Sequence, residues 1–152
     1  MTPIGHLAMG FAAKKIGPKI PLGVLLAAAW LLDILYFIFA FAGLDSLESI
    51  SNPGTGASPW SHGLFMAVIW SLAAGLLAWR IYRHRGAGVV MGLVVFSHWL
   101  LDFVSWDNQL LFFKGSPQVG LGMFKALGSA TIFVELALFA VGMAVYWLAR
   151  KE

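Results

Sequence analysis

The chain has 152 residues, 60% of them hydrophobic and 11% charged, with a formal charge of +3 and no cysteine. A soluble domain carries roughly 25% charged residues, and a globule this small cannot hide so much apolar surface from water, so lipid is the expected solvent. The missing cysteines exclude disulfides, thiolate metal ligands and a cysteine nucleophile, and no basic, aromatic-interleaved surface speaks for nucleic acid.

The chain opens on "MTPIGHLAMGFAAKKIGPK". The lysines follow the apolar residues, the reverse of a cleavable signal. Thr2 suits an N-cap and Pro3 a first helical turn, which predicts a helix over residues 3–16 that "GPK" breaks. It is too short to cross a bilayer. A turn at Gly17-Pro18 lays it against the first span as a half-helix, whose blunt end needs shelter because unsatisfied backbone groups are costly in hydrocarbon.

Four later segments reach the length of about 20 apolar residues that a spanning helix needs: residues 20–44, 60–82, 87–106 and 124–148. "DSLESISNPGTGASP" between the first two reads as an aqueous loop. "DNQLLFFKGSPQVGLG" between the last two is a second loop that dips into the interface through Leu110 to Phe113. Lys14, Lys15, Lys19, Arg80, Arg83, Arg85, Arg150 and Lys151 all fall on one side of this layout, which the positive-inside rule makes cytoplasmic. The other side holds Asp45, Glu48, Asp107, Lys114 and Lys125. The expected fold is one all-α integral membrane domain, four transmembrane helices plus an N-terminal half-helix, with both termini cytoplasmic.

Heights above the basic surface follow from a rise of about 1.5 Å per helical residue. Counted from the nearest basic residue, Asp33 lies about 21 Å up, His98 about 20, Asp102 about 26, His62 about 27, Glu135 about 22 and His6 about 12. Five of these six share a layer in the outer half of the bilayer. Each carboxylate left unpaired at that depth costs about 2.5–3.5 kcal/mol even on a lenient scale. No Lys or Arg lies there. The partners on offer are the histidines, water, the hydroxyls of Ser61, Ser97, Ser105 and Thr131, or a cation.

A divalent metal is the most economical counter-ion for such a set. His98 and Asp102, at i and i+4 in "SHWLLD", share one helix face and present a nitrogen and an oxygen to one ion. Ligands without sulfur suit zinc first, with manganese or iron as further options. Taken singly, each polar residue is as well explained by a hydrogen bond between helices. His84 is a loop residue, and Asp45, Glu48 and Asp107 read as solvated loop charges. Trp60, Trp99 and Trp106 read as interfacial anchors or packing groups. Ser61 and Ser97 each precede a histidine, but neighbours on a helix point about 100° apart, so both read as hydrogen-bonders behind the ligands rather than nucleophiles.

"TPIGHLAMGF", the aspartate of the first span, "SHGLF" and "SHWLLD" together resemble the small bacterial inner-membrane proteins called membrane-bound metal-dependent hydrolases, of which the LexA-regulated group is the best-known branch. The resemblance implies polar site positions at His6, Asp33, His62, His98 and Asp102. A more distant similarity, to the helical zinc-dependent phospholipase C and nuclease fold, implies a late carboxylate at Glu135. That fold has a histidine four residues before this carboxylate, where the chain has Thr131, and a further histidine that the chain lacks, so one or two metals are expected rather than three.

The sequence therefore leads to a multi-pass inner-membrane hydrolase that cleaves a lipid or lipid-linked phosphoester with a metal-activated water. Its expected metal ligands are His6, Asp33, His62, His98 and Asp102. Glu135 is expected as a ligand or general base, and Asp102 as part of the catalytic group. Membrane lipids are the expected partners, and oligomers are compatible with the sequence. The competing expectation is a non-enzymatic membrane protein whose buried cluster conducts protons or cations, or bonds internally in a partner subunit.

Overall fold

The computed structural model describes residues 1–47 and 58–150. Glu48, Lys151 and most of the first loop lie outside the described residues. The elements in chain order are α1 (Pro3–Ala13), α2 (Leu22–Ala29), α3 (Leu31–Phe41), α4 (Pro59–His62), α5 (Leu64–Tyr82) and α6 (Arg85–Ser105). A short ribbon of β1 (Gln109–Leu110) and β2 (Gln118–Val119) follows, then α7 (Met123–Leu127), a 3₁₀ turn over Gly128–Ala130 and α8 (Thr131–Ala149).

Three stretches are long and apolar enough to cross a membrane: Leu64–Tyr82, Arg85–Ser105 and Met123–Ala149. The pair Leu22–Ala29 and Leu31–Phe41 makes a fourth if counted as one broken span. Their lipid-type character shows in what they expose: Phe41, Leu72, Phe133 and Val141 face outward, while the core is built of Leu25, Leu32, Ala67, Val94 and Val95.

The short helix α1 finds its shelter against α8 and α2. At Gly142 of α8 an added Cβ would lie 2.5 Å from the Ala8 carbonyl oxygen, and at Gly10 of α1 it would lie 3.0 Å from the Leu25 carbonyl oxygen. Backbones approach this closely only where side chains are absent. Phe11 packs on Phe139 and Tyr146 of α8 with ring centroids 5.7 Å apart in each case. The helix ends three residues before the expected Ile16, where the Lys14, Lys15 and Ile16 N–H groups bond three residues back, to the Phe11, Ala12 and Ala13 carbonyls, at 3.1, 3.2 and 3.2 Å, a tighter pattern than the α-helix. Lys14 closes that turn by donating to the Pro18 and Ile20 carbonyls at 2.7 and 2.6 Å.

Three features depart from the sequence expectation. The first span is not one helix but two, bent by 53° at Trp30, although neither proline nor glycine is present there. His98 Nδ1 donates to the Ala29 carbonyl at 2.7 Å, the acceptor that the Asp33 N–H would use in an unbroken helix. A side chain inserted into the helix ladder is a recognised cause of a kink.

The second span breaks at Gly63, whose extended backbone (φ −65°, ψ 140°) separates α4 from α5. A Cβ there would sit 2.7 Å from both the Phe112 and Pro59 carbonyl oxygens. The third departure lies in the second loop, which contains a two-stranded antiparallel ribbon with Gln109 opposite Val119. The Phe65 N–H bonds the Leu111 carbonyl at 3.0 Å, so the ribbon braces the Gly63 corner.

Gly142→Val should destabilise the fold by about 1–3 kcal/mol through overpacking against Ala8. Gly23→Ala, where an added Cβ meets nothing within 4 Å, should be neutral or stabilising by up to about 1 kcal/mol. Thermal unfolding in mild detergent compares the two, and equal effects would contradict the close α1–α8 contact.

Candidate metal centre

Four of the residues singled out in the sequence come from three separate elements and converge on one point. The bend at Trp30 puts Asp33 in the first turn of α3. His62 ends the four-residue α4, and His98 and Asp102 share the inner face of α6. His62 Nε2 lies 3.3 Å from Asp33 Oδ1 and 3.8 Å from Asp102 Oδ2. His98 Nε2 lies 3.6 Å from Asp33 Oδ1 and 3.5 Å from Asp102 Oδ2.

These separations are longer than N–H···O hydrogen bonds, which run about 2.7–3.2 Å. Three of the four match the edges of a coordination tetrahedron, since a metal bound to N and O donors at about 2.0–2.2 Å sets its ligands roughly 3.3–3.6 Å apart; the His62–Asp102 separation is longer.

The tautomers point the same way. His98 Nδ1 must be the protonated nitrogen, because its partner, the Ala29 carbonyl, can only accept. The other nitrogen of neutral His98, Nε2, then carries a lone pair, is fully buried and has no hydrogen-bond partner. It faces two carboxylate oxygens, a repulsion that either a cation between them or a proton on Nε2 relieves. His62 is held by Ser61 Oγ at 2.8 Å from its Nδ1, which aims its Nε2 at both aspartates. Such outer hydrogen bonds orient metal-binding imidazoles.

His6 joins the cluster from α1. Its ring stacks on His98 with centroids 3.7 Å apart and planes 2° from parallel, and its Nε2 lies 3.3 Å from Asp102 Oδ1. His6, His98 and Asp102 thus come within mutual reach, as do Asp33, His62 and His98. In the stacked arrangement, however, His6 and His98 would have to turn to share an ion, because two parallel stacked rings cannot both point a ring nitrogen at one ion. His6 instead faces Oδ1, the oxygen of Asp102 to which the Met1 nitrogen also donates.

The low height expected for His6 has a geometric cause. A Cβ on Gly17 would lie 3.0 Å from Val90, so the α1–α2 turn is level with a residue five positions into α6. That offset of about 7.5 Å lifts His6 to the His98 layer.

Glu135 is fully buried and engaged elsewhere. Its Oε1 accepts from the Thr2 N–H at 3.0 Å, and its Oε2 from the Thr2 hydroxyl. Thr2 sits at the N-cap position of α1 but makes no side-chain cap of its own, because its hydroxyl goes to this carboxylate. Ser97, Ser105 and Thr131 donate to the carbonyls of Val94, Leu101 and Gly128. Of the hydroxyls considered in the sequence, only Ser61 holds a cluster residue.

Asp45 corrects the reading of it as a solvated charge. It is 5% exposed, and its two oxygens accept from the Trp60 and Ser61 N–H groups at 3.0 and 3.1 Å. It caps α4, whose own N-cap Ser58 makes no side-chain cap, and so fixes the segment that carries His62. Only the unsatisfied start of "PWSH" hints at this in the sequence. Asp107 does remain exposed, paired with Lys125 at 3.2 Å. Trp99 is buried between Phe96 and Phe103, a packing group rather than an interfacial anchor.

No protein family, characterised protein or solved structure matches the chain.

Asp45→Ala should cost about 1–2 kcal/mol of stability by removing the α4 cap and, where the cluster takes up zinc, weaken that binding about tenfold or more by loosening His62. Asp107→Ala should change stability by no more than about 1 kcal/mol. Thermal unfolding and zinc titration of both variants check the pair; similar zinc affinities in the two would show that Asp45 does not position His62.

Proposed function

We propose that the chain is a multi-pass membrane protein acting as a metal-dependent hydrolase on a lipid or lipid-linked phosphoester. The observation that carries this reading is the buried, unpartnered Nε2 of His98, set among Asp33, His62 and Asp102 at distances suited to one divalent ion. Zinc fits the two-nitrogen, two-oxygen donor set, and manganese is the runner-up. The resemblance of the "TPIGHLAMGF", "SHGLF" and "SHWLLD" segments to membrane-bound metal-dependent hydrolases supports the same conclusion. The positive-inside rule gives both ends and the Arg80–Arg85 turn to the cytoplasm and sets the cluster in the outer half of the bilayer.

A divalent ion held here supplies Lewis acidity and a bound water whose pKa falls to about 7. The residues around it divide the remaining work. His98 and Asp102 are closed off, with side chains 0% and 6% exposed, whereas His62 and Asp33 are 18% and 34% exposed. A phosphoester therefore approaches over the Asp33–His62 side. His6 backs Asp102 and keeps Oδ2 turned toward His62 and His98. The apolar surroundings exclude bulk water, which strengthens every charge interaction inside.

The test is elemental analysis of protein purified in mild detergent, followed by assay on phosphoester lipids. Near-stoichiometric zinc or manganese is expected, together with a thermal stabilisation of about 2.7 kcal/mol at a hundredfold excess of ion over Kd. Asp33→Ala should lose metal and hydrolysis together while staying folded; His98→Ala should lose both and also lower the stability, because its bond to the Ala29 carbonyl goes with it. Less than about a tenth of a mole of metal per chain, with no stabilisation by added ion, would overturn the reading. His98 would then be an imidazolium between two carboxylates, as a proton path or an internally bonded partner subunit requires.

A further inference from the structure

At the far end of α5 and α6 from the histidines, the two helices meet along a seam of small residues. A Cβ on Gly75 would lie 2.8 Å from the Gly88 carbonyl oxygen, one on Gly88 2.7 Å from the Gly75 carbonyl oxygen, and one on Gly92 3.1 Å from the Ser71 carbonyl oxygen. With the backbones this close, the larger side chains stand aside and leave an open groove of about 640 Å³ along the outside of the pair. Its walls include Leu72, Leu76, Val89, Leu93 and Phe96, with Trp79 and Arg85 at one end. The Ser71 hydroxyl in its floor is satisfied by the Ala67 carbonyl at 2.6 Å, so the groove asks for no polar ligand along its length.

Two measures say what fits. The groove runs from Trp79 to Val68 on α5 and from Arg85 to Phe96 on α6, which is about 16 Å at 1.5 Å per residue. That equals one leaflet, half of the roughly 30 Å hydrocarbon core. The charged end is equally specific. The Arg85 guanidinium lies 6.0 Å from the centre of the Trp79 ring. Arg80 and Arg83 stand beside it on the turn, and among the described residues none of the three forms an ion pair with a carboxylate. An apolar slot one leaflet long, ending in unneutralised guanidinium groups and an aromatic ring, matches one acyl chain with a phosphate at its head.

We propose that the α5–α6 groove is a binding site for one anionic phospholipid, its acyl chain along Leu72, Leu76 and Leu93 and its phosphate on Arg85. The site takes its lipid from the leaflet bordering the Arg80–Arg85 turn. It is separate from the metal centre and needs only that α5 and α6 span a bilayer.

Native mass spectrometry of the detergent-purified chain, offered phosphatidylglycerol and phosphatidylcholine at equal concentration, tests this. Phosphatidylglycerol should be retained preferentially. Arg85→Gln should weaken its retention about fivefold, the effect of one basic group at a membrane surface, and weaken that of phosphatidylcholine, whose choline offsets its phosphate, by less. Leu72→Trp, which fills the groove from an exposed position, should abolish retention with Arg85 intact.

Equal retention of the two lipids, no bound lipid at all, or no change in folded Arg85→Gln would overturn the proposal. So would a dimer that Leu72→Trp dissociates, since the groove would then hold a second copy. Zinc content measured on the same samples separates this outcome from the hydrolase reading: Arg85→Gln and Leu72→Trp should both keep the metal of the parent chain.

Discussion

A carboxylate that leaves water must find compensating charge or hydrogen bonds, and Asp102 is where this chain meets that demand most fully. Its two oxygens divide the surroundings. Oδ1 takes the Met1 nitrogen and His6 from the N-terminal segment, while Oδ2 faces His62 and His98. Four residues from three stretches of chain are thereby tied to one side chain that is 4% exposed. In apolar surroundings such ties do more than neutralise. The cost of breaking a buried pair by removing one partner is several kcal/mol, so the cluster fixes how α1, α4 and α6 meet in a protein whose other contacts are largely non-directional.

The backbone has been bent to serve that centre. The break at Trp30 frees the Ala29 carbonyl for His98 and brings Asp33 round to His62. The break at Gly63 lets α4 turn under Asp45, which holds it by two N–H groups. A straight helix through residues 20–44 or 60–82 would aim Asp33 and His62 along fixed directions set by its axis. Interrupting each helix one to three residues from its polar side chain gives both residues the freedom to face a common point. Both breaks are repaired locally, the first by an imidazole and the second by a carboxylate and the β1–β2 ribbon.

The sequence carried the apolar spans and the polar layer because both follow from counting. Hydrophobic runs measure the bilayer, and charged ends supply a ruler for depth. That ruler placed Asp33, His62, His98 and Asp102 at compatible heights, and they do meet. It failed where its zero was wrong: His6 was measured from Lys14, and the turn after Lys14 is itself raised to Val90. It was also blind to rotation about a helix axis. Glu135 has a compatible height, yet its oxygens face Thr2 rather than the four-atom set. The break at Trp30 was illegible for a different reason. Its cause is His98, 68 residues further on, and "LLAAAWLLD" contains nothing that ends a helix by itself. Asp45 was misread because a side chain that caps a helix from a distant segment looks, in sequence, like any loop acid.

The two ends of the α5–α6 pair use opposite means to the same end. Near the Arg80–Arg85 turn, where no polar cluster is present, Gly75, Gly88 and Gly92 let the backbones touch, and dispersion over a close seam supplies the association. Near Gly63 the helices are tied through His62, His98 and their aspartates, and there α5 has given way to α4. A seam built on contact tolerates no added atom, while a cluster built on charge needs room for one. Along this helix pair the close glycine seam thus lies away from the histidines, and among the cluster residues Asp33 and His62 are the more exposed. That arrangement leaves the buried charges reachable without opening the helix pair that holds them.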